Sequence, residues 1–429
     1  EISACLVGSE MCIRDRKEIG RLWENIFSMV TLRGMEYILS FLLVPYLLRT
    51  LGPANYGAIA FMQGIAAYYN LFIDFGFNLT APRKLARSPV EGIPRIFSIF
   101  MWSKVLLLVI VTVAFGILLW GADRIGIISL NPYLFAAIYT AVIGNVLFPV
   151  WFFQGIQEMR YITTINLLGR FFCILGIFTL VNTEADFVLA AFLQSCTPCI
   201  AGFLSLILIS RRYRGAWRCP AFQEIRSAVK EAKQIFISNL AISLYTNTDI
   251  IVLGILTNDT VVGYYSGADK LLNCIKRGVS AVNDAVYPYI SQTLTVDRNQ
   301  AIRFLRKQMM VYVAGGIVGG MILLFGAPLF IPWLLGSKYV ASILPLQIMS
   351  FVPLMVALSN IFGYETMLPF GMEKIYSRIL VLASFVNLVI IGPFVWIYQE
   401  SGVSMAMFIT ETFITIAQGY VLHKRRILL

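Results

Sequence analysis

The chain has 429 residues, 58% of them apolar and 13% charged, with a mean hydropathy of +0.77. That composition predicts a polytopic membrane protein and excludes an ordinary water-soluble domain. The net charge of +11 is spread over alternate loops rather than clustered, so no nucleic-acid partner is expected.

In chain order, the first sixteen residues, EISACLVGSEMCIRDR, hold neither a signal-peptide core nor a cleavage pattern. Residues 1–16 read as a non-native or disordered tail ahead of a short basic amphipathic start at Lys17. Twelve segments of spanning length follow, near 26–48, 57–77, 97–120, 132–153, 162–181, 187–210, 235–256, 261–290, 309–335, 342–363, 378–398 and 402–422. One side of the membrane collects 25 Lys and Arg in its gaps and termini, counting Arg378 at the mouth of the eleventh span. The other side collects three, Arg49, Arg124 and Lys338. The imbalance predicts that both termini are cytoplasmic. The long basic gap divides the chain into an N-terminal six-helix lobe (17–215), a connector (216–234) and a C-terminal six-helix lobe (235–429). The predicted fold is an all-α polytopic membrane protein, twelve transmembrane helices in two six-helix lobes around a central cavity.

The two halves echo each other. LGPANYG follows span one, Leu51 to Gly57, and LTNDTVVG follows span seven, Leu256 to Gly263. Internal repeats are a common way for transporters to build a pathway between two lobes.

Span eight departs most from the apolar rule. Asp269, Asn273, Lys276, Ser280 and Asp284 recur at spacings of four, three, four and four, and so share one helix face, with Lys270 and Arg277 one column over. A charge near the bilayer centre costs at least ~2.5–3.5 kcal/mol, so this stripe must face water, protein or substrate. Three bases against Asp269 and Asp284 leave the face net positive, although pairing within the helix is an alternative use. Arg33, with Glu36 at i+3, reads either as half of a structural ion pair or as a substrate contact. Arg170 has no acidic residue at helical spacing. Arg33, Arg170, Lys270, Lys276 and Arg277 are the candidate contacts for an anionic head group, since guanidinium and ammonium groups suit phosphate oxygens. Asp249 in span seven is the candidate coupling-ion site, with a hydrogen bond to Thr246 or Thr248 as the alternative.

Other features read as structural. Lys104 is expected to snorkel to the cytoplasmic edge, and Asp74 and Asn78 to cap and anchor. Gly315, Gly316, Gly319 and Gly320 form two overlapping GxxxG patterns suited to close helix packing. Cys196 and Cys199, a lone CxxC in an apolar span, read as small buried thiols. His423 is the single histidine, and neither GxxxxGK[ST] nor GxGxxG occurs, so no metal site and no cofactor is expected. In FPVWFFQG, from Phe148 to Gly155, Pro149 can kink the helix, and Trp151, Phe152 and Phe153 suggest an interfacial aromatic belt.

The stretch FPVWFFQGIQEM resembles the signature of bacterial polysaccharide flippases, the O-antigen type of the multidrug/oligosaccharidyl-lipid/polysaccharide exporter superfamily. VPYLLRTLGPANYG, DFGFNLTAPRKLAR and TDIIVLGILTNDTVVGYYSGADKL extend the resemblance over roughly residues 17–429. It implies a V-shaped pair of lobes in the bacterial inner membrane that moves an undecaprenyl-diphosphate-linked oligosaccharide between leaflets by alternating access. The expected partners are that lipid-linked oligosaccharide, membrane lipids and polysaccharide polymerase machinery, with a monomer sufficient. The alternatives are a cation-coupled multidrug exporter of the same fold and a polymerase or ligase. The enzyme would call for a large periplasmic loop, which the short outer gaps do not supply.

Overall fold

The computed structural model describes residues 42–213 and 217–427, and every regular element among them is helical. The tail 1–16, Arg33 and Glu36 lie outside these residues. Helix α1 covers 42–74. Within it Gly52 has φ +73°, just before Pro53, which turns the chain between the expected first and second spans. Next come α2 (Phe77–Ala86), α3 (Ile93–Arg124), α4 (Pro132–Leu147), α5 (Val150–Gly155), α6 (Met159–Leu180) and α7 (Phe187–Arg212). The second half holds α8 (Phe222–Thr246), α9 (Thr248–Leu256), α10 (Asp259–Val296), α11 (Arg298–Leu335), α12 (Ile343–Ile348), α13 (Val352–Ser359) and α14 (Glu373–Lys424). A π-helical segment, Asn360–Met367, continues α13.

Among the described residues six helices are long and apolar enough to cross a membrane, or eight if two bent pairs each count as one span. The bent pairs are α8 with α9, at 48°, and Ser337–Ile348 with Val352–Met367, at 43°; they fall on the expected seventh and tenth spans. Helix α14 holds the eleventh and twelfth spans, separated at Gln399, whose φ of 50° and ψ of −125° break the helical path. Helix α10 is 38 residues, about 57 Å, and fails the apolar criterion because of its polar stripe.

Side-chain caps set several starts. The Asn131 carbonyl accepts from the backbone N–H groups of Tyr133 and Leu134, with Pro132 at the first helical position. Asn258 caps α10 by accepting from Val261 N–H at 3.1 Å, and Asp297 caps α11 by accepting from Asn299 and Gln300.

Packing corrects two sequence readings. Trp151, Phe152 and Phe153 are not an interfacial belt: they are 0–1% exposed, and the Trp151 ring stacks on Phe97 with centroids 5.8 Å apart. Phe152 meets the edges of Phe97 and Tyr213, and Gly155 lets α5 approach so closely that a Cβ there would stand 2.6 Å from Leu85 Cβ. Hydropathy cannot distinguish lipid from protein as the apolar neighbour, and here the neighbour is the lobe itself. Nor does Lys104 snorkel. It is 1% exposed, with Nζ 2.5 Å from Asp74 Oδ1 and 3.3 Å from Asn78 Oδ1, while Asn78 Nδ2 donates to Asp74 Oδ2. Pairing with Asp74 at the end of α1 takes the place of water.

The glycine run of α11 divides by face. Gly316 and Gly320 abut Leu354 and Phe351, whereas Gly315 and Gly319 meet nothing within 4 Å. Cys199, which is partly buried, donates from Sγ to the Thr140 carbonyl at 3.0 Å across the α4–α7 contact.

Candidate functional site: a charged cavity and the clasp that closes one end

A cavity of about 410 Å³ lies where α1, the α8–α9 bend, α10 and α14 converge. Gly64 of α1 is packed against Ile251, and Gly254 of α9 faces Phe61 so closely that a Cβ would sit 2.2 Å from its ring. The N-terminal half therefore forms one wall and the C-terminal half the others.

The stripe of α10 lines this cavity with Asp269, Lys270, Asn273, Lys276 and Arg277. Asn273 Nδ2 donates to Asp269 Oδ2 at 2.6 Å, and Lys276 Nζ lies 3.9 Å from Asp269 Oδ1. One base of the stripe thus has an internal counter-ion. Among the described residues no ion pair holds Lys270 or Arg277, which stand seven residues apart, about 10 Å along the axis. The side chain of Asp284 lies outside the described residues.

Asp249 enters from α9 and is 4% exposed. Among the described residues its Oδ1 has no hydrogen-bond partner, and the side-chain amide of Asn387 stands beside it. The two expected threonine partners are engaged elsewhere: Thr246 Oγ1 donates to the Ile242 carbonyl, and Thr248 Oγ1 lies 2.6 Å from Tyr68 Oη. Asn387 Nδ2 in turn donates to Thr410 Oγ1 at 3.3 Å, beside Glu411.

Glu411 and Asn387 are among the cavity residues that the sequence reading missed. Glu411 is the only carboxylate within the expected twelfth span, 402–422, so the cost argument that picked out α10 applies to it equally. With Asp249 and Glu411 added, three bases face three acids, so the lining as a whole is charge-balanced rather than net positive. The balance is uneven in space, since Lys270 and Arg277 belong to α10 while Asp249 and Glu411 belong to α9 and α14.

Arg170 is not part of this cavity. It lines a separate one of about 170 Å³ with Asn166 on its own helix, Gln194 and Thr197 on α7, and Leu43.

The echoed turns meet each other at one end of the interface between halves. Gly57 lies against the Asp259 carbonyl and Gly263 against the Pro53 carbonyl, so closely that an added Cβ would stand 1.7 Å and 1.9 Å from those oxygens. Each turn thus supplies a glycine to the other's backbone. Around this clasp Arg49 Nε donates to the Leu334 carbonyl at 2.9 Å and its guanidinium also reaches the Trp333 carbonyl. Lys338 pairs with Glu184, and Asn55 Nδ2 donates to the Glu184 carbonyl at 2.8 Å. At the other end α8 packs on the N-terminal half, with Phe236 stacked on Phe75 and Arg95 paired to Glu224 at 2.7 Å.

Two halves of membrane helices with a charged cavity between them define a membrane transporter. The chain belongs to the family described as "Polysaccharide biosynthesis protein", which it matches over residues 22–294. It is 29% identical over 396 residues to a protein of Escherichia coli (strain K12) named "Putative O-antigen transporter", covering 92% of this chain and 95% of that one. A Shigella dysenteriae protein of the same name is 27% identical, with 92% and 98% covered. In fold the chain is similar to the lipid II flippase MurJ in an inward closed conformation, with TM-score 0.72, 12% identity, and 93% and 87% of the two chains covered. It is also similar to an inward-facing multidrug resistance MATE family transporter of the MOP superfamily, with TM-score 0.63, 14% identity, and 91% and 94% covered.

Proposed function

We propose that this chain is an inner-membrane flippase, both termini cytoplasmic, that carries an undecaprenyl-diphosphate-linked oligosaccharide between leaflets by alternating access. The observation that carries this reading is the pair Lys270 and Arg277, two bases on one column of α10 that no ion pair holds among the described residues, facing a cavity between the halves. Their separation of about 10 Å suits a diphosphate and its first sugars. Arg277 offers a planar fork to phosphate oxygens and Lys270 a point charge. Lys276, tethered to Asp269, adds charge once that pair opens. Arg170, in its separate cavity, and Arg33, which lies outside the described residues, are further candidate contacts for the anionic cargo. The prenyl tail stays in lipid and passes between the halves. The relatives' shared name supports the cargo class.

In this reading Asp249 binds the coupling ion, a proton or sodium, its orphan Oδ1 and the Asn387 neighbour forming the start of a site. A monomer suffices, and polysaccharide polymerase machinery is the natural consumer of the product. The carboxylates Asp249 and Glu411 also suit a second reading, an exporter that exchanges cationic drugs for ions.

The test replaces Lys270 and Arg277 singly by alanine in cells whose surface polysaccharide depends on this chain, with membrane abundance measured in parallel. A charge-assisted hydrogen bond is worth about 1.5–3 kcal/mol, so surface polymer is expected to fall about tenfold or more at unchanged abundance. Recovery with Lys270→Arg is the matching control. Unchanged polymer in both variants would remove the two bases from the cargo site, and drug efflux that disappears with Asp249→Asn would replace the flippase reading with the exporter.

A further inference from the structure

A second polar centre lies away from the cavity. Glu365 is 0% exposed in the π-helical segment Asn360–Met367. The wide turn is locally stabilised by Thr366 Oγ1, which donates to the Ile361 carbonyl five residues back. Single-turn π segments inside membrane helices recur at functional sites because they re-aim one side chain. Here the re-aimed side chain is a buried carboxyl.

Its partner is Gln308 of α11, whose Nε2 donates to Glu365 Oε1 at 3.1 Å. That one hydrogen bond leaves two acceptors stranded: among the described residues Glu365 Oε2 and Gln308 Oε1 are both buried without a partner. A buried ionised carboxylate with half its oxygens unsatisfied is strongly disfavoured. A single proton removes both deficits. Protonated Glu365 presents one donor and one acceptor, and the primary amide of Gln308 presents one of each, so the two groups are complementary.

Among the described residues the groups nearest the pair are uncharged. From α10 the neighbouring groups are Asn283 and Tyr287, the latter stacked on Tyr364 with centroids 4.5 Å apart. From α11 they are Gln308 and Tyr312, whose hydroxyl donates to Asn283 Oδ1 at 2.7 Å. From α14 Tyr376 and Gln418 abut Gly363, and beyond the π segment Arg298 sits over the Phe370 ring. No ion pair reaches Glu365 among the described residues. Asn283 also continues the α10 stripe beyond Lys276 and Ser280, at spacings of four and three, so the centre is joined to the cavity along one helix face.

We propose that Glu365 and Gln308 form a second proton-binding site, an acid–amide pair separate from the central cavity and loaded in this conformation. The proposal concerns a site apart from the cargo cavity and depends on no assumption about the cargo. Infrared difference spectra of the full-length protein in lipid nanodiscs test it. At neutral pH wild type is expected to show a protonated carboxyl C=O band that Glu365→Gln abolishes and Asp249→Asn leaves in place. Gln308→Leu, which removes the partner and keeps the acid, is expected to retain the band and move it to higher frequency. Identical spectra for wild type and Glu365→Gln would overturn the proposal. So would a carboxylate band at Glu365 that responds to sodium, or a Gln308→Leu spectrum without a shift.

Discussion

Lys104 and Asp74 show how much one residue's surroundings change its meaning. A lysine near the end of an apolar span ordinarily reaches for water, and this one instead closes on a carboxylate within the N-terminal half. Removing one member of a buried pair strands the other, at a cost of about 3–5 kcal/mol when both are fully buried. Asp74 keeps some solvent contact, so Lys104→Met is expected to destabilise by less than that. The thermal midpoint of the purified protein should fall with Lys104→Met and recover in part when Asp74→Asn is added. Equal midpoints for wild type and Lys104→Met would show that the pair holds nothing. At this scale the sequence singles out charged residues in apolar spans and is silent about their partners. Asp249, Lys270 and Arg277 stand out in their spans because charge in an apolar run is conspicuous. That Asp249 would adjoin Asn387, rather than the nearby threonines, depends on the packing of α9 against α14, which no local pattern encodes.

Among the elements, α10 and α5 make opposite points. The period of α10 places its stripe on one face, and that face lines the cavity, because a helix of fixed pitch leaves little freedom once the polar residues are known. The aromatic run of α5 has no such signature: a belt and a core have the same composition. Burial makes Trp151 a core residue, and truncating a buried tryptophan costs about 3–5 kcal/mol. Trp151→Ala is therefore expected to deplete the protein from the membrane, whereas Trp333→Ala, at a side chain 69% exposed, should leave abundance unchanged. Immunoblots of membrane fractions decide between them. Equal abundance of both would return Trp151 to an interfacial role.

At the scale of the whole molecule, the transport reading requires the halves to separate at the echoed turns. Replacing Glu184 and Lys338 by cysteine in a cysteine-free background places two thiols where an ion pair now joins the halves. A short bis-methanethiosulfonate, which joins the two thiols through disulfides, is expected to stop polymer export, and a reductant to restore it. Export that continues through the cross-link would mean the halves need not part there. The twelve-span plan could be read from hydropathy and the echo from the sequence of the turns. That the two turns grip each other could not, because glycine carries no side chain to advertise a contact.

That grip has a consequence for the medium the clasp faces. Its centre is backbone against backbone, indifferent to dissolved ions, but its rim is the exposed pair Lys338–Glu184. Exposed charges are attenuated over a Debye length that shrinks from about 30 Å at 0.01 M salt to about 8 Å at 0.15 M. Dilute and saline surroundings would therefore hold the same seal with different strength, tying the resting balance of the protein to the salt content of the medium on that face.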